Sequence, residues 1–125
     1  MGRVFDLIHV GKTRLCTLFD SGAKNSFISD RAAAGGGVFT LARSHLAEIG
    51  GKRHRIRKTC VIQGTLRKRP IFLRALVLPE IGHDSDGRSI DILFGADDMQ
   101  LYGIRLVPQE EQLDLSQFQK SFVEF

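Results

Sequence analysis

The sequence predicts a mostly β domain with one short helix near its C-terminal end. Most apolar residues fall in short segments that alternate in polarity or are rich in β-branched types, and these segments end at glycine or proline. Residues 96–102 combine acidic residues in a first helical turn with Gly103 at the position of a C-cap. The 125 residues show no repeat or linker, which fits a single domain, 1–125.

The first two predicted strands form a hairpin. Residues 4–10 are rich in β-branched and aromatic types, a turn follows at Gly11, and residues 14–19 alternate in polarity. Asp20 falls where the second strand ends. A carboxylate at this place is costly to bury unless it is paired or hydrogen-bonded, which makes Asp20 a candidate for chemistry.

The next part of the chain predicts short elements separated by glycine. Residues 26–29 form a short apolar piece, and residues 30–34 fit one or two helical turns that the glycines at 35–37 end. A further strand is predicted at 38–41. Residues 44–49 then lead to a second glycine pair.

A long β ribbon is predicted beyond that glycine pair. Its two arms are residues 54–62 and 70–78, with a turn around Gly64 and Thr65. Two shorter strands, at 90–95 and 104–107, flank the predicted helix.

The positive charge is concentrated in one window of the sequence. The net charge is +4, and nine of the 18 Lys and Arg residues lie between positions 52 and 74. This window predicts either the solvated face of a hairpin or a surface that attracts an acidic partner or nucleic acid. No RNA-recognition, zinc-finger or helix-turn-helix motif accompanies it, so nucleic acid is the less expected partner.

Neither a metal site nor a cofactor is expected from the sequence. Cys16 and Cys60 form no Cys-x-x-Cys pair and the four histidines are scattered, so no metal-ligand spacing arises. Cys16 alternates within a strand pattern, which predicts a buried free thiol and a reducing, cytoplasmic compartment. No apolar run reaches the roughly 20 residues of a membrane span, and no signal-peptide core is found.

Two motifs stand in order along the chain. Leu-Phe-Asp-Ser-Gly-Ala occupies residues 18–23, and Ile-Leu-Phe-Gly-Ala-Asp occupies residues 92–97, where a strand pattern meets the predicted helix. With Gly50 and Gly51 between these motifs, the chain resembles the retropepsin family, the single-lobe aspartic proteases of retroviruses and their cellular and bacterial relatives. The resemblance covers residues 4–107.

The resemblance implies a closed, barrel-like β lobe that forms a two-fold dimer and acts as an aspartic endopeptidase. A physical argument also leads to the dimer. Cleaving a peptide with two carboxylates requires two, and the chain has one Asp-Ser-Gly, since Asp86 interrupts a second one at residues 84–87. A symmetric homodimer supplies the second Asp20 by placing the same loop on both sides of its axis. The alternative is a non-catalytic retropepsin-fold module for dimerisation or peptide binding.

The resemblance also implies a role for each residue of the first motif. Asp20 would be the catalytic carboxylate, Ser21 would bond across the dimer axis, and Gly22 would allow close approach of the substrate backbone. Ala23 would be small because the substrate passes beside it. The implied substrate is a polypeptide.

The glycine pair between the motifs has two interpretations. Gly50 and Gly51 would form the tip of a flap that folds over the substrate and excludes water, with Ile49 as an apolar wall. The alternative is an ordinary β turn. Four apolar residues could line side-chain pockets or simply belong to the core. They are Ile28, Val77, Leu78 and Leu93.

The sequence departs from the viral pattern at two places. Lys24 and Asn25 follow the first motif, where viral members usually place acidic residues. Ala96 and Asp97 end the second motif, where they usually place arginine and asparagine. The exchanged charges predict an ion pair between Lys24 and Asp97. Lys24 and the basic window together predict a preference for acidic substrates.

The tail, residues 108–125, allows two structures and two roles. Its apolar residues suit either a strand followed by a helical turn or a single helix. The segment around Leu113 and Leu115 could supply the terminal strand that closes the family's dimer. Equally, the tail could pack on its own subunit.

Overall fold

The computed structural model describes residues 3–119, and strands dominate this part of the chain. The helices are α1 (Asp30–Ala33) and α2 (Ala96–Tyr102), and a single 3-10 turn spans Pro108–Glu110. The mostly β prediction is confirmed, and α1 is the shorter of the two lengths expected for residues 30–34, a single turn. The strands are β1 (Val4–Val10), β2 (Thr13–Phe19), β3 (Phe27–Ser29), β4 (Gly37–Ile49), β5 (Lys52–Leu66), β6 (Arg69–Leu78), β7 (Ile92–Phe94), β8 (Arg105–Val107) and β9 (Gln112–Asp114).

Six strands form a closed barrel in the order β1-β2-β7-β3-β6-β5, and β1 pairs with β5 to complete the ring. β4 extends the sheet beyond β5. β2 runs parallel to β7, with Phe19 opposite Phe94, and the two rings pack with their centroids 4.9 Å apart. Because parallel strands end at the same edge of a sheet, this pairing brings the two sequence motifs together.

The barrel encloses an aliphatic core. Ile8, Ile28, Ile62, Leu73 and Ile92 are each at most 1% exposed. They reach the inside because successive side chains of a strand point to opposite faces of the sheet. Burial of each such side chain stabilises the fold by roughly 1.5–3 kcal/mol. This core forms the rigid support on which the ends of β2 and β7 rest.

The turn of the long ribbon lies three residues beyond its predicted place. The prediction of a turn around Gly64 and Thr65 is wrong, because β5 continues to Leu66 and the turn is made by Arg67 and Lys68. Both turn residues have positive φ, 47° and 66°, as a two-residue hairpin turn of this twist requires. A Cβ at Gly64 would lie 2.3 Å from the carbonyl oxygen of His9. Gly64 is therefore needed where β5 approaches β1 to close the barrel, not for a turn.

The short elements predicted between Asp20 and the long ribbon are present in the structure. α1 begins at Asp30 because the hydroxyl of Ser29 accepts the backbone N–H of Ala32 at 3.2 Å. The strand predicted at 38–41 is longer than expected, because β4 continues through residues 44–49. An irregularity in its pairing with β5 lies between Thr40 and His45.

The tail packs on its own chain as far as the structure describes it. β9 pairs antiparallel with β8, with Leu113 opposite Leu106. Leu113 and Leu115 are buried, and the ring of Phe118 stacks on Tyr102 at 5.5 Å. The last apolar residues of the predicted tail, from 120 onwards, lie outside the described residues.

None of the helices within residues 3–119 is long and apolar enough to cross a membrane.

Candidate active site

The carboxylate of Asp20 is held at the end of β2 by the loop that follows it. The backbone N–H of Gly22 donates to Oδ1 of Asp20 at 2.8 Å. The backbone N–H of Asp20 donates to the carbonyl of Phe94 at 3.0 Å, and its carbonyl accepts the N–H of Ala23 at 3.2 Å. A Cβ at Gly22 would lie 3.1 Å from Oδ1. The turn therefore orients one oxygen of a half-buried carboxylate and leaves room beside it.

The loop that carries Asp20 is fixed to the start of α2 by backbone contacts. The N–H of Ala96 donates to the carbonyl of Ala23 at 2.7 Å, and the N–H of Asp97 donates to the carbonyl of Lys24 at 3.1 Å. Between these bonds, a Cβ at Gly95 would lie 2.3 Å from the carbonyl oxygen of Asn25. The glycine of the second motif is thus required for the close approach of the two loops.

A buried polar contact reinforces this junction. Ser26 is 2% exposed, and its hydroxyl donates to Oδ2 of Asp98 at 2.5 Å while accepting the N–H of Gly95 at 2.9 Å. Burial raises the pKa of Asp98, the hydrogen bond from Ser26 opposes that rise, and the neighbouring charge of Asp97 adds to it. Sequence reasoning assigned Asp98 only to the first turn of α2 and gave Ser26 no role. The one available signal was a serine inside an apolar strand piece.

The predicted ion pair between Lys24 and Asp97 is wrong. The ion pairs of residues 3–119 include neither of these side chains. Both residues are exposed, and they are neighbours only through the backbone bond described above. Since the junction is already held by backbone hydrogen bonds, it does not depend on a charge pair. Lys24 therefore leaves its cation available on the surface beside Ala23.

Gly50 and Gly51 form the two-residue turn between β4 and β5. Their φ angles are 57° and 79°, and Ile49 pairs with Lys52 across the turn. A Cβ at either glycine would meet no atom within 4 Å, so the turn projects into open space. The glycines are needed for the positive φ rather than for close packing. The β4–β5 hairpin thus has a conformationally permissive tip.

A second apolar cluster lies between this hairpin and the barrel, separate from the barrel core. Ala47 and Ile49 of the hairpin pack against it, as does Ala23 of the Asp20 loop. Of the four residues proposed to line pockets, Leu78 and Leu93 belong to this cluster, whereas Ile28 and Val77 belong to the barrel core. The buried members of the second apolar cluster are Phe27, Ile56, Leu78 and Leu93.

Ser21 lies on the surface between two open cavities. The smaller, of about 290 Å³, is lined by Asp20, Ser21, Leu106 and Pro108 among others. The larger, of about 860 Å³, is lined by Ser21 together with residues of α2 and β8. Ser21 itself is exposed. The surface around the motif is therefore concave and uncovered in a single chain.

Within residues 3–119 no group of three or more His, Cys, Asp or Glu side chains is placed to hold a metal ion.

Comparisons with known proteins identify the fold. No protein-family model and no curated protein matches the sequence. Among solved structures, the retroviral protease-like domain of Ddi1 from Leishmania major matches with a TM-score of 0.67 and 18% identity, covering 93% of this chain and 90% of that one. EIAV protease in complex with an inhibitor matches with a TM-score of 0.59 and 21% identity, covering 84% of this chain and 92% of that one. The chain therefore has a retropepsin-like fold.

Proposed function

We propose that this chain is an aspartic endopeptidase that works as a homodimer, with one Asp20 from each copy. The observation that carries the proposal is the carboxylate of Asp20, oriented by the N–H of Gly22 at the end of a buried strand. The loop around it is fixed by hydrogen bonds to the second motif, so the carboxylate is preorganised. A retropepsin-like fold at 18–21% identity is consistent with this chemistry.

The proposed reaction follows from two carboxyl groups that share one proton. Two such groups in hydrogen-bond reach do not both ionise easily, so one stays protonated. The ionised carboxylate takes a proton from a water as that water attacks the scissile carbonyl carbon. The protonated carboxyl donates its proton to the carbonyl oxygen, which gives a tetrahedral diol. As the C–N bond breaks, the carboxyl that took the proton from water donates it to the leaving amine nitrogen, and a hydroxyl of the diol returns a proton to the other carboxylate. The apparent pKa values of this reaction belong to the pair rather than to either residue.

The dimer is proposed because one chain supplies one Asp-Ser-Gly. Ser21 is exposed, and concave surfaces lie on both sides of it. A second copy placed there would cover Ser21, bring the two motif loops together and allow the bond between the loops that the family resemblance implies. The tail to residue 119 already packs on its own chain, so the motif loops are the proposed centre of the interface.

The substrate is proposed to be an extended polypeptide held under the β4–β5 hairpin. Ile49 and Ala47 face the second apolar cluster, which favours apolar side chains next to the scissile bond. The glycine turn allows the hairpin to act as a flap that excludes water when substrate is bound. Lys24, exposed beside Ala23, favours an acidic residue further along the substrate.

The proposal is tested by a cleavage assay with a matched control. Wild-type protein, Asp20→Asn and Asp97→Asn are assayed on a quenched-fluorescence peptide library between pH ~4 and 7, where carboxyl dyads of this kind titrate. Asp20→Asn is expected to lower cleavage by at least about 10³-fold. Asp97→Asn removes one exposed carboxylate from the first turn of α2 and is expected to keep wild-type activity. Sedimentation analysis is expected to find both variants dimeric.

The second candidate function is a non-catalytic peptide-binding module on the same fold. Lys24 favours it, since an exposed cation stands where viral members usually place an acidic residue that holds the substrate backbone. This alternative predicts saturable peptide binding by the wild type with no cleavage at any pH in that range. Equal cleavage by Asp20→Asn and the wild type would instead exclude Asp20 from the chemistry.

A further inference from the structure

The β4–β5 hairpin has two chemically different faces. On one face, the paired residues Ala47 and His54 are half-buried, and Ile56 is completely buried against the second apolar cluster. Residues one position along each strand point the other way. Leu46, which is 60% exposed and lies opposite Arg55, belongs to this outward face. The hairpin thus separates the candidate active site from an exposed surface that the proposed reaction does not use.

Three arginines form the outward face of β5. Arg53, Arg55 and Arg57 alternate with the residues that face the cluster, and all three are exposed. None of them takes part in the ion pairs of residues 3–119. The guanidinium of Arg55 donates to the neutral hydroxyl of Ser44 at 2.8 Å. Glu48 lies opposite Arg53 and forms no ion pair within residues 3–119. We call Arg53, Arg55 and Arg57 the cationic face.

The cationic face concentrates three positive charges that no ion pair within residues 3–119 offsets. Three guanidiniums in a row repel one another, and a single carboxylate does not neutralise them. Adjacent members are two residues apart on a strand, so they are separated by about 6.6 Å along it. Carboxylates at every second residue of an extended peptide have the same spacing. Arginine also suits this role because its planar fork binds a carboxylate with two hydrogen bonds.

We propose that the cationic face binds an extended acidic segment of a polypeptide whose Asp or Glu residues recur at every second position. A polypeptide is favoured over nucleic acid because the exposed apolar side chain beside the arginines, Leu46 opposite Arg55, is aliphatic. Surfaces that bind single-stranded nucleic acid combine positive charge with aromatic rings on which the bases stack. The exposed ring on β4, Phe39, lies on the other side of the pairing irregularity at Thr40–His45. The surface is independent of Asp20 and goes beyond the proposed cleavage.

The test measures binding without catalysis. Asp20→Asn protein is titrated, by fluorescence anisotropy, into a labelled peptide of alternating Glu and Ser, a block peptide of the same composition, and a single-stranded oligothymidylate. The alternating peptide is expected to bind best, and added salt is expected to weaken that binding. In the same Asp20→Asn background, the triple change Arg53→Glu, Arg55→Glu and Arg57→Glu is expected to weaken it by at least about tenfold.

A control with the same change in net charge separates a local surface from general attraction. Lys12, Arg14 and Lys68 are exposed, form no ion pair within residues 3–119 and lie outside the β4–β5 hairpin. Changing all three to Glu is expected to alter binding less than about twofold. The proposal is overturned if the block peptide binds as well as the alternating one, or if the control weakens binding as much. Tighter binding of the oligothymidylate also overturns it and identifies a nucleic-acid surface.

Discussion

The hydroxyl of Ser26 lies 2.5 Å from Oδ2 of Asp98, and the two residues are 72 positions apart in the chain. The same hydroxyl accepts the N–H of Gly95. This contact ties the loop after Asp20 to the first turn of α2 at the point where both motifs end. The position of the candidate catalytic carboxylate therefore depends on a polar contact that neither motif contains.

Removing the hydroxyl of Ser26 is expected to destabilise the chain. Ser26→Ala leaves the N–H of Gly95 and a partly buried carboxylate oxygen of Asp98 without this partner. Such a loss costs about 1–3 kcal/mol of unfolding free energy. Urea unfolding measures it. Ser85→Ala, at an exposed loop position, is the control and is expected to change stability by less than about 0.5 kcal/mol. Equal stabilities of the two variants would contradict the role given to Ser26.

The pH dependence of stability is expected to report on Asp98. Burial raises the pKa of Asp98 above its usual 3.8, so the folded chain binds this proton more tightly than the unfolded chain does. The resulting stabilisation is complete below pH 3.8 and is lost as pH rises through the raised pKa. Asp98→Asn keeps an acceptor for Ser26 and removes the titration.

The measurement is urea unfolding of Asp98→Asn and the wild type at a series of pH values upward from 3.8, the usual pKa of the group. The stability of Asp98→Asn relative to the wild type is expected to increase with pH in this window. The pKa values of Asp84 and Asp114 are lowered. Their contribution to the unfolding free energy is therefore lost at lower pH than this window and does not interfere. For Asp84, hydrogen bonds from Arg88 and the N–H of Asp86 outweigh the opposing effect of burial. Parallel curves for the two proteins would show that Asp98 does not titrate differently in the folded chain.

Barrel closure is expected to depend on Gly64. In Gly64→Ala the new Cβ meets the carbonyl oxygen of His9, so β1 and β5 must separate. Overpacking of this kind costs about 1–3 kcal/mol, or more when backbone must move. Gly35→Ala is the matched control, because its Cβ meets the nearest atom at an ordinary 3.7 Å. Thermal unfolding of both variants measures the difference, and equal midpoints would contradict the close approach of β1 and β5.

The inner face of the hairpin is expected to affect cleavage. Ile49→Thr replaces an apolar wall that packs on the second apolar cluster, and we expect kcat/KM to fall about tenfold with little change in stability. Val38→Thr makes the same type of change on β4 at a side chain that is 45% exposed, and is expected to leave kcat/KM unchanged. Equal effects on kcat/KM would show that Ile49 has no special contact with substrate.

The sequence predicted the elements that local patterns determine. Strand alternation before Asp20 and the glycine after Phe94 located both motif strands, and Gly103 ends α2 in a left-handed conformation, with φ 71°. The turn at Arg67 and Lys68 was missed because neither residue favours positive φ.

The features that the sequence did not predict depend on contacts between distant parts of the chain. Gly64 has the local pattern of a turn residue, and only its approach to His9 explains it. The contact of Ser26 with Asp98 and the absence of a Lys24–Asp97 ion pair depend likewise on how the two motif loops meet. No local periodicity carries that information.

The most direct test of the proposed dimeric active site mixes wild-type and Asp20→Asn chains at constant total concentration. If cleavage requires Asp20 from both copies, mixed dimers are inactive and the rate falls as the square of the wild-type fraction. After subunits have exchanged, an equal mixture is then expected to retain about one quarter of the wild-type rate. A rate of about one half, linear in the wild-type fraction, would mean that each copy works independently with its own Asp20 and would contradict a shared active site. A rate of about three quarters would mean that one Asp20 per dimer suffices and would also contradict it.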